Sequence, residues 1–213
     1  MFKISLALVG LTLCLFANAA IVSLDSGFGA GTITRDTNTG LEWLDLTVTT
    51  DQSYNDVVAR INGGDLQGWA YATGTQFDAL IGSFGGQPMT CDSGLARGND
   101  YCGWSSENNG VVAQVVSFVG DLYGRNESLG LLGDPYIYSE PDGIFWAYLS
   151  DYNRDLSPAY DRIETYYGFT SKDYSNPWTG SFLVRPSEVP LPAAAWLFGS
   201  AVLGLVVVKR KQA

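Results

Sequence analysis

Residues 31–46 read Gly-Thr-Ile-Thr-Arg-Asp-Thr-Asn-Thr-Gly-Leu-Glu-Trp-Leu-Asp-Leu, and this stretch decides the fold class. Two short runs, 31–35 and 41–46, flank Asp36-Thr-Asn-Thr-Gly40, whose Asp, Asn and Gly tolerate tight turns and positive φ. The stretch is expected to form a β-hairpin. The spacing Asp36-x-Asn38-x-Gly40 also evokes a calcium loop. Its glycine falls one place early and no acid stands at the twelfth position, so the turn is the reading kept.

Downstream, the pattern changes to helix signals. Ser53 stands three residues before Asp56 at the head of 54–61, and Gly63-Gly64 ends that run. Thr73 stands three before Gln76 ahead of 77–84, with Gly85-Gly86 beyond. Each is a capping box followed by a glycine stop, which predicts two short helices. A third is predicted over 111–122, where Val112, Val115, Val116 and Val119 recur at helical spacing. From Pro135 onward aromatic and β-branched residues predominate, and 144–149, 163–169 and 180–185 read as strands. The segments between them carry Asp151, Asn153, Asp155, Pro158, Asp173, Asn176 and Pro177, loops long enough to build a binding surface. The expected class is α+β: one compact domain of a few short helices packed on antiparallel strands, with a linker at Pro186-Ser187-Glu188.

The two ends of the chain have a different character. Met1-Phe2-Lys3 precedes an apolar run to Phe16 and then Ala17-Asn18-Ala19. That is the form of a secretory signal peptide over residues 1–19, too short for a spanning helix and directed to the Sec translocon. At the other end, Val189-Pro190-Leu191-Pro192 leads into an apolar segment, 193–208, and then Lys209-Arg210-Lys211. From Leu191 to Val208 a helix reaches about 27 Å, close to the thickness of a bilayer core. The basic cluster would stay on the cytoplasmic side as a membrane stop.

This tail, residues 187–213, resembles the PEP-CTERM sorting signal of Gram-negative bacteria. The likeness runs through Val-Pro-Leu-Pro-Ala-Ala-Ala-Trp-Leu-Phe-Gly-Ser, with Leu191 where the usual Pro-Glu-Pro has Glu. The resemblance implies recognition by an exosortase, a membrane-embedded cysteine protease, near Val189, Pro190, Leu191 and Pro192. Removal of the helix would then release or transfer the ectodomain, residues 20–186, to the cell surface or medium. The plainer alternative is a permanent single-span anchor in the periplasm.

Without the signal peptide the chain keeps two cysteines, Cys91 and Cys102. With ten residues between them and sent to an oxidising compartment, they are expected to form a disulfide pinning the Gly-rich loop 94–103. A metal site lacks ligands, because the chain has no histidine. Between residues 20 and 188 lie 22 acidic and 8 basic residues, a net charge of −14. That excess argues against nucleic acid as a partner and suits a soluble surface protein or one that takes up Ca²⁺; no other cofactor is expected.

Three further motifs, Thr39-Gly-Leu-Glu-Trp-Leu-Asp45, Gly68-Trp-Ala-Tyr-Ala-Thr73 and Gly180-Ser-Phe-Leu-Val-Arg185, resemble a bacterial surface-domain family that includes the C-terminal domain of collagen-like adhesins. That family has Thr-Gly-Leu-x-Trp, a Trp-Arg-Leu-Pro-Thr box before a helix and a closing Val-Arg strand; here Ala70 and Ala72 replace its Arg and Pro. The resemblance implies a C-type-lectin-like domain with Trp43 and Trp69 as buried aromatics and Thr73 as a helix cap.

Catalytic chemistry is narrow. Without histidine, the Ser-His-Asp and Cys-His arrangements are impossible, and neither phosphate-cradle motif is present. Carboxylate pairs such as Asp151 with Asp155 or Glu140 with Asp142 leave a glycan hydrolase as the enzymatic alternative. A non-catalytic glycan-binding role uses the same region better. Tyr148, Tyr152, Tyr160, Tyr166, Tyr167, Tyr174 and Trp178 interleave with Asp151, Asn153, Asp155, Asp161 and Asn176. Aromatic faces stack on sugars while amides and carboxylates bond hydroxyls, although strand aromatics also serve as core and cross-strand pairs. Glu140-Pro141-Asp142 is similar to the Glu-Pro-Asn triplet of C-type lectins, though Pro-Asp-Gly is also a turn sequence. The candidate ligand loops are thus marked by Glu140, Asp142, Tyr152, Asn153, Asp155 and Trp178. The whole reads as an exported surface or matrix protein that contacts exopolysaccharide.

Overall fold

The structure is a computed structural model that describes residues 21–87, 89–90, 104–136, 143–151 and 161–188. The segments expected to be a signal peptide and a sorting tail, the latter with Val189 to Pro192 and Lys209 to Lys211, lie outside the described residues, as do Cys91 and Cys102. So do Glu140, Asp142, Tyr152, Asn153 and Asp155. No helix among the described residues is long and apolar enough to cross a membrane.

The architecture is α+β, with two sheets and three α-helices. Strands β1 (Ile21–Ser26), β2 (Gly29–Asp36) and β3 (Leu41–Leu44) open the chain, followed by helix α1 (Tyr54–Gly63), β4 (Ala70–Tyr71) and helix α2 (Gly74–Ser83). Next come the short β5 (Met89–Thr90) and β6 (Trp104–Ser105), helix α3 (Val111–Val119), and the long strands β7 (Glu127–Tyr136), β8 (Gly143–Ser150) and β9 (Asp161–Ser171). Two short strands, β10 (Gly180–Ser181) and β11 (Leu183–Pro186), end it. The first sheet is antiparallel in the order β1-β2-β3-β11-β4. The second runs β10-β7-β8-β9-β5, with β6 on β9. Its long strands are antiparallel, and only the two-residue strands β10 and β5 pair parallel.

The predicted hairpin is β2–β3, in register with Ile33 opposite Leu44 and Asp36 opposite Leu41. Asp36 organises its turn. Its Oδ1 accepts from the Asn38 amide at 2.8 Å, and Gly40 takes φ +71° while donating to the Asp36 carbonyl. Both predicted capping boxes form, at Ser53 with Asp56 and at Thr73 with Gln76.

Around β3 and the start of β11 the first sheet is buried on both faces. Trp43, Phe182 and Val184 join α2, α3 and the second sheet in the larger core. Their neighbours Leu44 and Leu183 point the other way, with Ile33, Val57 of α1, Leu66 and Trp69. This is why residues 41–44 and 180–184 are apolar almost without alternation. Helix α3 buries five of its valines in the larger core. Surrounding packing, not helix propensity, stabilises so β-branched a segment.

Two expectations need correction, and one strand was not anticipated. Residues 180–185 are not one strand. Gly180 and Ser181 pair with β7, whereas Leu183 to Pro186 pair with β3 and β4. Phe182, between them, bonds both ways: its N–H donates to Leu131 O at 3.0 Å and its carbonyl accepts from Ala72 N at 2.8 Å. Strand β7 went unrecognised because two glycines and Pro135 interrupt it. The partner strand β10 reaches only Gly130 and Leu131, so Pro135 meets no demand for an N–H on that side. The linker also begins later than expected, since Pro186 lies in β11 and the Ser187 N–H donates to Gly40 O at 2.8 Å.

Candidate functional site

The exposed aromatic surface is built by two loops. In the segment after β9, Asn176 Oδ1 accepts from the Trp178 amide at 2.8 Å, its carbonyl accepts from Thr179 and Asp51 amides, and its Nδ2 donates to Tyr174 Oη at 2.8 Å. That network holds Trp178 outward at 52% exposure. The second loop follows α3. Here the Asp121 carboxylate accepts backbone N–H groups from Gly124, Arg125, Asn126 and Glu127. The loop is thereby pinned with Tyr123 facing Trp178, ring centroids 5.7 Å apart and planes 20° from parallel. Tyr174, from the same loop as Trp178, meets Trp146 of β8 edge-on at 6.3 Å. Tyr123, Tyr174 and Trp178 are three of the four exposed large hydrophobic side chains among the described residues.

Of the ligand-loop residues read from sequence, Trp178 alone lies among the described residues, and it stands in this surface. The wider aromatic set divides. Tyr174 belongs to the surface. Tyr148 instead donates to Glu127 Oε1 and lies under the Arg162 guanidinium, 5.4 Å from its centroid. Tyr166 packs on Phe145 at 4.8 Å and sits at a β-bulge with φ +62°. Burial, then the nearby Asp134 and Asp78 carboxyls, raise its phenol. Tyr152 and Tyr160 lie outside the described residues. Sequence reading missed Tyr123. Its signal was the run Asp121 to Asn126, whose Asp, Gly and Asn mark a tight loop.

Neither carboxylate pair named from sequence falls wholly within the described residues. Other acids do meet. Asp78 accepts from the Thr165 hydroxyl; burial, and secondarily Asp134, raise its pKa. Asp134 Oδ2 in turn accepts from the Gly74 amide at 2.5 Å, at the start of α2. Asp161 serves α3 in the same manner. That helix begins at Gly110, which has no side-chain cap of its own, and Asp161 Oδ2 accepts from the Gly110 and Val112 amides at 2.8 and 3.3 Å. Burial, then the adjacent Asp151, push the Asp161 carboxyl up to about 6.

On the far side of the first sheet, two adjoining polar grooves of about 510 and 550 Å³ share Gln67 and Arg185. Glu42, buried between them, binds Arg35 at 2.6 Å and Arg185 at 2.8 Å. The Arg185 guanidinium lies 4.5 Å above the Trp69 ring. Both cations are thus already engaged, which makes this a structural brace for the strand that leads to the tail. Trp43 and Trp69 are buried and Thr73 caps α2.

No protein-family model, no curated protein and no solved structure matches the chain. Among the described residues no group of three or more Cys, Asp or Glu side chains is placed to hold a metal ion.

Proposed function

We propose that the chain is an exported, exosortase-sorted surface or matrix protein that binds exopolysaccharide without catalysis. The observation that carries the glycan reading is the near-parallel stack of Tyr123 and Trp178, exposed and rigidly held by hydrogen-bonded loops. A pre-set aromatic face loses little freedom when a sugar ring stacks on it. Asn176 and Asp121 hold the two loops through hydrogen bonds to Tyr174, to Trp178 and to the amides of Gly124 to Glu127, and so fix the aromatic face in place. The sequence of residues 189–211 supports sorting, and the net charge of −14 between residues 20 and 188 disfavours nucleic acid as a partner.

The test is C-terminal peptide mapping by mass spectrometry on protein recovered separately from membranes and medium of the native host. Sorting requires an extracellular form that ends near Pro190 and lacks Trp196 to Ala213. A tail that stays intact and confined to membranes would instead make the protein a permanently anchored periplasmic domain.

A further inference from the structure

The β8–β9 ladder runs Tyr148 opposite Glu164, Leu149 opposite Ile163 and Ser150 opposite Arg162. One more step places Asp151 opposite Asp161. Side chains alternate along a strand, so both acids lie on the face of Leu149 and Ile163, which is the core face beneath α3. Two like charges directly opposed across a ladder repel, and here one of them is 1% exposed. Asp161 Oδ2 is satisfied by the start of α3, whereas its Oδ1 is buried with no donor, and the side chain that comes within hydrogen-bonding reach of Asp161 is a second carboxyl, Asp151. A buried carboxylate oxygen without a donor, facing a second carboxylate, costs free energy that a cation between the two would remove.

We propose that Asp151 and Asp161 jointly hold a divalent cation of the calcium class. The donors at hand are all oxygens. Asn126 adds a further one: its amide lies 3.0 Å from Asp151 Oδ2, and its backbone carbonyl accepts the Asp151 N–H at 3.1 Å. An Asn side chain turned about its last bond presents oxygen in place of nitrogen. An all-oxygen set selects a hard cation, and Ca²⁺ accepts irregular geometry and waters in its remaining positions where Mg²⁺ demands a regular octahedron. The ion would join the ends of β8 and β9, the start of α3 and the loop carrying Tyr123. It does not depend on the glycan reading, since the response of thermal unfolding to calcium reports the site whether or not the aromatic face binds sugar.

The experiment follows thermal unfolding of the full chain in detergent, stripped with a chelator and then titrated with CaCl₂ or MgCl₂. Asp151→Asn and Asp161→Asn are measured alongside. Asp161→Asn keeps an acceptor for the Gly110 and Val112 amides, and Asp151→Asn leaves that cap untouched. At calcium one hundred times its dissociation constant, the wild type is expected to gain roughly 5–10 °C in Tm. Each variant is expected to lose that gain. The site is refuted by a wild type indifferent to calcium, by a gain that survives in both variants, or by an equal response to magnesium. A pair that simply shares a proton gives the first of these results.

Discussion

Phe182 lies so close to Gly130 that a Cβ at that glycine would stand 2.5 Å from Cδ2 of the ring. The ring is fully buried, tilted on Phe77 at 5.0 Å and edge-on to Trp43 at 6.3 Å. It cannot withdraw without disturbing both. Gly130→Ala is therefore expected to destabilise the protein by about 1–3 kcal/mol, the usual cost of overpacking. Urea unfolding of the two proteins measures it, and an unchanged midpoint would show that the core at Phe182 yields.

Glu42 joins strands β2, β3 and β11 through Arg35 and Arg185. Burial raises its pKa, but hydrogen bonds from Arg35 and then Arg185 outweigh that and hold it below the usual value. A lowered carboxyl contributes stability above its unfolded pKa and loses it as pH falls through the folded one. Glu42→Gln should cost about 2 kcal/mol at pH 7. The difference from wild type should shrink below about pH 4. Paired melts across that range decide the point.

Asp78 titrates in the opposite sense. Its folded pKa is raised, so its contribution is full below the unfolded value and is lost as pH rises through the folded one. Asp78→Asn keeps an acceptor for Thr165 and removes a charge beside Asp134. Its Tm at pH 7 should exceed the wild type by roughly 2–4 °C. Near pH 3.5 the two melts should converge, and a constant gap would point to packing instead of charge.

Trp178 is about half exposed, with its ring stacked on Tyr123. Trp178→Ala should leave stability within about 0.5 kcal/mol of wild type. Retention on the host's immobilised exopolysaccharide should fall at least tenfold, about 1.4 kcal/mol in binding. Equal retention of variant and wild type would remove the aromatic surface from the glycan reading.

What was legible in the sequence was local. Asp36 and Gly40 carry their own turn chemistry, and Ser53 with Asp56 and Thr73 with Gln76 satisfy helix N–H groups across one turn. Such signals depend on neighbours three or four residues away, and all appear in the structure as the sequence implied. The α+β class followed from them.

What only tertiary structure decided was every relationship between distant segments. Gly130 and Gly133 look like strand breakers until Phe182 and Tyr71 are seen filling the space where their side chains would stand. Residues 180–185 read as one strand, yet the chain changes sheets at Phe182 because Leu131 and Ala72 claim its two backbone groups. Tyr123 and Trp178 are 55 residues apart in the chain, and Asp151 meets Asp161 through ladder register. Local patterns encode turns, caps and faces, because those energies depend on a few adjacent residues. The aromatic stack and the opposed acids arise from long-range packing and register, which no short stretch of sequence contains.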